Sequence, residues 1–465
     1  MKRSPLLLGL LAAGLVARLS PQACAQATLT TLFTNGPTAN RVNLVVLSEG
    51  YTASQLGQFL IDARGAVSNL LAAPVYHEYS NYFNAFAISV ASTQSGSDHY
   101  TPATTLVSTY FNSTYDSYGI QRLITIPPND RDSLYADGQG KVDALLQSLM
   151  PEYDLVILVV NDPQYGGSGG TTLISSINMS SPEIVRHESG HTFGDLADEY
   201  SDPYPGYITV EKPNATAQTS RTLIKWGAWI DPTTLVPTPQ TSVYALLVGL
   251  FQGAEYQTIG WYRPKLDCKM NHLNTNFCEV CSEQLVKSTY GRIKSIDSFF
   301  PVSTNLSVIS AQSVLFGVAA LQPATHNLAF QWFMDEAPVI GATNSTSSLQ
   351  PQLFPNGSHL LRAQVLDNTT LVRNDPSNLL SNSVTWTVNI SLNKMTLVSS
   401  RALTGGRFAF SVTGTAPRGF VLQASTNLLG WNSLSTNSLV GGRADFTNSD
   451  PISFPRGFYR AQAVP

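Results

Sequence analysis

The sequence predicts an α/β domain on a mixed, mostly parallel sheet, followed by one or two all-β sandwich domains. Three observations predict it. Up to about residue 300, short continuous apolar runs alternate with segments of helical period. Beyond Phe299-Phe300-Pro301 the runs become short and alternating, separated by Asn, Pro, Gly and Ser clusters. The 465 residues are enough for about three domains.

Residues 1–27 read as a signal peptide. Lys2 and Arg3 precede an apolar run, Leu6 to Val16, that is too short to span a bilayer. Small-x-small cleavage sites follow at Ala23-Cys24-Ala25 and Ala25-Gln26-Ala27. No later run approaches the roughly 18 apolar residues of a spanning helix. The mature chain is therefore expected to be secreted (extracellular, periplasmic or at the cell surface) with no stable membrane span.

Residues 28–300 form the expected first domain. Val42 to Leu47, Phe83 to Val90 and Leu155 to Val160 read as buried strands. Thr52 to Gln55 is a capping box ahead of Leu56, Phe59, Leu60 and Ala63 at helical spacing. Val142 to Met150 reads as a helix that Pro151 ends. Residues 301–391 read as an immunoglobulin-like β-sandwich, with strands at Leu328 to Phe333, His359 to Leu366 and Ser383 to Val388. Residues 392–465 read as a further all-β module, with strands near Arg407 to Val412, Phe420 to Ala424 and Gly457 to Ala461.

Composition narrows the function. With 43% hydrophobic and only 12% charged residues, global disorder is excluded. A net charge of −4 with no Lys/Arg-rich stretch argues against nucleic acid as a partner.

One constellation carries chemistry. Ser181-Pro182-Glu183 reads as a helix start, with a capping serine, proline at the first position and an acid in the first turn. His187-Glu188-Ser189-Gly190-His191 follows. Residues four apart share a helix face, so His187 and His191 can offer two imidazoles to one Zn2+ ion. Glu188, beside the first ligand, is placed to hold the attacking water and act as general base. Gly194 stands where the helix must stop, as a left-handed C-terminal cap. Asp198, Glu199 and Tyr200 lie just beyond.

Removal of the signal peptide would take Cys24 and leave Cys268, Cys278 and Cys281. In an oxidising compartment two of these are expected to pair. The alternative is a structural zinc site, for which the sequence supplies only these three thiols and His272. The odd thiol has no assigned role. A redox role for Cys278-x-x-Cys281 finds no adjoining redox-fold pattern. The Gly166 to Gly170 loop lacks the Lys and Ser/Thr of a phosphate loop.

His187 to Tyr200, HESGHTFGDLADEY, resembles the signature of the IgA-peptidase-type metallopeptidases, a metzincin-like branch of the zincins. Leu47 to Thr52, Ser95 to His99, Tyr165 to Gly170, and Tyr262-Arg263-Pro264 leading to Cys268-Lys269-Met270 agree with it. The resemblance covers about residues 40 to 295. It implies a zincin catalytic domain, a bound Zn2+, and a protein or peptide substrate. It further implies that Met270 is the methionine of a turn beneath the metal. Residues Gly169 to Ile177 would form the upper rim of the cleft, where an extended substrate pairs as an added strand, with Gly169 and Thr171 in contact.

The sequence departs from the common metzincin pattern at the third ligand, three residues after the glycine, where Ala197 cannot bind metal. Asp198 is the favoured replacement, with Glu199 and the distant His99 or His272 as alternatives. The carboxylate that is not a ligand would orient a histidine. Tyr262 or Tyr200 is the expected donor to the oxyanion. The expected function is a secreted zinc-dependent endopeptidase. The alternatives are a surface-binding protein or adhesin with an inactive zincin domain, and a zinc hydrolase of non-peptide bonds. The C-terminal modules would serve as spacers, stability modules, or contacts to cell surfaces or glycans.

Overall fold

The apolar runs of the first 300 residues become the strands of one six-stranded sheet. The computed structural model describes residues 27–131, 137–204, 206–309, 312–392, 395–404, 407–414, 419–447 and 457–463. The signal-peptide reading falls on residues 1–26, outside the described residues.

In chain order the elements are β1 (Thr28–Phe33), β2 (Val42–Glu49), α1 (Leu56–Leu71), α2 (Pro74–Glu78), β3 (Phe83–Ser89), α3 (Gly138–Leu149), β4 (Leu155–Val160), β5 (Gly167–Ser168), β6 (Leu173–Ser176), α4 (Ser181–Thr192), β7 (Phe251–Ala254), β8 (Gln257–Arg263) and α5 (Glu279–Tyr290). The sheet order is β1-β3-β2-β4-β6-β5. Strands β3, β2, β4 and β6 are mutually parallel, and the edge strands β1 and β5 run antiparallel. The sheet is thus mixed and mostly parallel, as its sequence pattern implies.

Every residue of β2, β3 and β4 is buried, which a parallel sheet covered on both faces requires. On one face Val45, Leu47, Phe86, Ile88, Val156 and Leu158 pack with Val142 and Leu146 of α3. α1, started by the Thr52–Gln55 capping box, buries Phe59, Ala63, Val67 and Leu70 and packs on β2, β3 and α4.

The motifs flanking β2 also find a structural explanation. Glu49, fully buried, accepts from the Phe111 and Ser113 amides and the Thr109 hydroxyl at 2.9, 2.8 and 2.6 Å. Gly50 has φ +70°, and a Cβ there would lie 2.1 Å from the Gly96 carbonyl oxygen. Leu47 to Thr52 and Ser95 to His99 therefore meet each other, holding the long segment after β3 against the strand ends.

One compact unit runs to Ile293 and includes 323–325 and 370–376; the other comprises 294–322, 326–369 and the chain from Ser377. The pattern change near residue 300 thus lies inside the second unit, because β9 (Ile296–Phe300) pairs with β11 (Val314–Ala320). The second unit also holds β10 (Asn305–Val308), β12 (Ala329–Met334), β13 (Ala337–Pro338), β14 (Thr346–Leu349), β15 (Gly357–Leu366) and β16 (Ser381–Ile390). These make sheets β10-β16-β15-β12-β13 and β14-β11-β9 around one core, where Trp332 stacks on Trp386 at 5.8 Å. Two further sheets follow. β17 (Met395–Ala402), β18 (Phe408–Gly414) and β21 (Arg443–Thr447) form one; β19 (Phe420–Ser425), β20 (Asn432–Asn437) and β22 (Phe458–Ala463) form the other. Phe410, Val412, Phe420 and Leu422 form their separate core. Among the described residues no helix is long and apolar enough to cross a membrane.

Candidate active site

α4 carries the central residues. Pro182 sits in its first turn, and Glu183 follows, accepting from Arg186 at 2.7 Å and from Lys269. The N-cap is Ser180; Ser181 is already helical, and its hydroxyl meets Ser175 instead of capping. At the other end Gly194 does not adopt the left-handed conformation. Asp195 does, at φ 53°. Gly194 is needed for space: a Cβ would lie 2.8 Å from the Gly190 carbonyl oxygen and 2.9 Å from Leu285 Cδ2.

This turn brings the chain back under the helix face. His187 Nε2 and His191 Nε2 are 3.2 Å apart. Asp198 Oδ1 lies 3.1 Å from the first and 3.3 Å from the second. Each imidazole is oriented through its other nitrogen, His187 Nδ1 on the Lys269 carbonyl at 2.9 Å and His191 Nδ1 on the Leu196 carbonyl at 2.8 Å. Asp198 is likewise fixed from behind, its Oδ2 accepting from the Tyr256 hydroxyl at 2.5 Å. Asp198 Oδ1 is buried without a hydrogen-bond partner.

These donors fit a zinc ion. Tetrahedral zinc with bonds of about 2.0–2.1 Å has ligand–ligand edges of about 3.3–3.4 Å. The three atoms form such a triangle, and the orphaned Asp198 oxygen belongs to it. His187, His191 and Asp198 are the residues able to hold the ion, with His187 and His191 grouped with Glu188 as metal-capable donors. The other candidates for the third position lie elsewhere. His99 pairs with Asp162 at 2.8 Å and stacks on Tyr115. His272 is exposed and pairs with Asp267. Glu199 turns away to Cys268, Cys278 and Cys281.

Electrostatics follow from this packing. Burial opposes charge on the imidazoles, but Asp198 and Glu188 outweigh it. The pKa of His187 is held above its usual value and that of His191 is raised to about 9. Burial also resists ionisation of Asp198, yet the adjoining imidazoles hold its carboxyl well below the usual range. Burial raises the pKa of Glu188.

The cleft around these groups has a volume of about 840 Å³ and is lined by Gly167–Thr171, Glu188, Tyr200, Tyr207 and Tyr256 among others. Gly169 passes so close to α4 that a Cβ would lie 2.8 Å from both Glu188 Oε2 and His191 Cβ. Thr171 is exposed at the same rim. The rim is shorter than the resemblance implies. Leu173–Ser176 is β6, buried and paired to both β4 and β5, so it has no open edge for an added strand. Only Gly169–Thr171 remains at the opening.

Tyr200 stacks over His187 at 6.0 Å between ring centres. Tyr262 does not reach the cleft; it is buried in a separate core cluster with Trp226, Leu250 and Cys268. Met270 is fully buried, and its Sδ packs where a side chain on Gly190 would stand, so Gly190 lets it lie directly against α4. Among the described residues there is no disulfide: Cys268, Cys278 and Cys281 are all free and buried, which corrects the expected pairing. No motif in the chain points to Tyr256. It sits with Glu255 in the turn between β7 and β8, both at positive φ. Asn214, which bonds the Ala197 amide and carbonyl and Glu199 Oε1, was equally invisible.

Comparison with known proteins adds a family. The model of the family described as IgA Peptidase M64 matches residues 30–245 and 240–289, more than half of the chain. No curated protein matches. Among solved structures, a chain of the chaperone–tip adhesin complex of CFA/I fimbriae is 12% identical, with 36% of this chain and 98% of that one covered and a TM-score of 0.15. The amphioxus IgVJ-C2 molecule is 9% identical (34% and 99% covered, TM-score 0.14), and a Bacteroides uniformis β-glucuronidase 10% identical (73% and 46% covered, TM-score 0.14). Scores this low carry no argument.

Proposed function

The chain belongs to the IgA Peptidase M64 family, and on that premise we propose that it is a secreted zinc-dependent endopeptidase with a metzincin-like zincin catalytic domain. A peptidase family implies protein or peptide substrates. The observation that carries the zinc reading is the triangle of His187 Nε2, His191 Nε2 and Asp198 Oδ1, with edges of 3.1–3.3 Å.

In this reading His187, His191 and Asp198 hold the ion. When bound, zinc supplies a Lewis acid that lowers the pKa of water and polarises a carbonyl. Glu188 takes a proton from the attacking water and returns it to the departing amine nitrogen. Its raised pKa suits a group that must both accept and release a proton. Gly169, whose missing side chain leaves room beside Glu188, and Thr171 bind the extended substrate at the rim. Tyr200 covers His187 and is the nearer of the two expected donors to the oxyanion, Tyr262 lying in the core. The sheets beyond residue 294 are read as immunoglobulin-like and all-β spacer or surface-binding modules.

The test is digestion of a broad peptide library by the full chain with mass-spectrometric readout. Cleavage should cease on chelation and return with zinc. Cleavage indifferent to chelators would overturn the reading.

A further inference from the structure

A second cluster of metal-binding side chains lies next to this site and plays no part in the chemistry above. Glu199, Cys268, Cys278 and Cys281 are buried, and each offers a ligand atom within 4.8 Å of the others. We propose that these four residues form a second metal centre, a structural zinc site of three thiolates and one carboxylate.

The geometry has the right scale. Cys268 Sγ and Cys281 Sγ are 3.6 Å apart, and Cys281 Sγ is 3.4 Å from Glu199 Oε1. Tetrahedral zinc with bonds of about 2.3 Å to sulfur and about 2.0–2.2 Å to oxygen has edges of about 3.8 and about 3.5 Å. A disulfide would need the sulfurs at about 2.05 Å. It would also leave the third thiol and Glu199 Oε2 without a partner.

The carboxylate is the second, independent sign. Glu199 is fully buried; its Oε1 is held by Asn214 at 3.0 Å, while Oε2 has no hydrogen-bond partner. A buried, unpaired carboxylate oxygen among three thiols is costly unless a cation is present. Cys278 is the N-cap of α5 and Cys281 lies in its first turn, where free amide groups favour thiolates. The fourth donor missing from the sequence pattern is thus Glu199, and His272 is not needed.

Such a centre would tie α5 to two segments that also build the catalytic site. Glu199 adjoins Asp198, and its amide donates to the Met270 carbonyl at 2.9 Å. Cys268 precedes Lys269, whose carbonyl orients His187. The second ion would therefore hold Asp198 and the His187 support in register.

The experiment is metal analysis of the full chain by inductively coupled plasma mass spectrometry, with thiol counting under denaturing, non-reducing conditions. The native chain should carry two zinc equivalents, with Cys268, Cys278 and Cys281 all counted as free thiols. His187→Ala/His191→Ala should retain one equivalent, and Cys278→Ser/Cys281→Ser should lose it. If the cysteine variant does not fold, cobalt substitution of the His187→Ala/His191→Ala chain decides, because thiolate ligation gives a sulfur-to-cobalt charge-transfer band in the near ultraviolet. A metal-free His187→Ala/His191→Ala chain without that band, or a disulfide among the three cysteines, overturns the proposal. One equivalent in both the native and the His187→Ala/His191→Ala chains would instead leave this centre standing and remove the zinc from the catalytic reading.

Discussion

Tyr256 donates its hydroxyl to Asp198 Oδ2 at 2.5 Å, so the other carboxylate oxygen is left facing the two imidazoles. Loss of a group that orients a ligand from behind typically costs 10–100-fold in metal affinity. Tyr256→Phe should weaken zinc binding by about that factor. Competition titration against a chromogenic chelator measures it. Unchanged affinity would mean that the hydrogen bond does not position Asp198.

Glu188→Gln keeps the shape beside Gly169 but cannot accept a proton. Hydrolysis should fall by about 10²–10⁴-fold, the usual contribution of a general base. Zinc content should stay at the native level. Undiminished turnover would remove Glu188 from its assigned role.

Asp198→Ala removes the third donor of the triangle while both imidazoles remain. The catalytic zinc should be lost on dialysis, with activity returning only partly at high added zinc. Full occupancy after dialysis would show that another group completes the site.

Gly169→Ala puts a methyl where only 2.8 Å separates it from Glu188 Oε2 and His191 Cβ. Either the rim or Glu188 must move. A displacement near 1 Å can cost about 10²-fold in rate. A drop of that order in kcat/KM, with an unchanged circular dichroism spectrum, is expected. Native kinetics would show that the rim yields freely.

The pH dependence has a defined sign. Without metal, the His191 pKa is raised to about 9, and zinc needs the neutral imidazole. Apparent affinity should therefore fall about tenfold for each pH unit below about 9, with proton release on binding. Calorimetry in buffers of different ionisation enthalpy detects this. Because the folded pKa lies above the unfolded value, the contribution of His191 to the stability of chelated protein is present below about 6.5 and is lost as pH rises through about 9. Affinity independent of pH over this range would contradict the arrangement.

Much of this was legible in the sequence, for physical reasons. Buried parallel strands are uniformly apolar, so Val42 to Leu47 and Leu155 to Val160 announced themselves. Helical spacing put His187 and His191 on one face. Asp198 was preferred to Glu199, and it is Asp198 that meets the imidazoles. What could not be read is what the fold alone brings together. Tyr256 stands 58 residues beyond Asp198 and arrives through the β7–β8 hairpin, whose Glu255 amide bonds the Asp198 carbonyl. In sequence the cysteines look like a pair plus a spare, because their fourth neighbour, Glu199, lies far away in the chain. Gly194 reads as a turn glycine, yet its role is clearance, a distinction made by the Gly190 carbonyl and Leu285, which approach it in the folded state.

Asp198 and Glu199 are consecutive, yet one serves the imidazoles and the other the thiols. Inserting or deleting a single residue between Asp195 and Asp198 would swing each acid toward the opposite neighbours. This stretch should therefore tolerate almost no change of length.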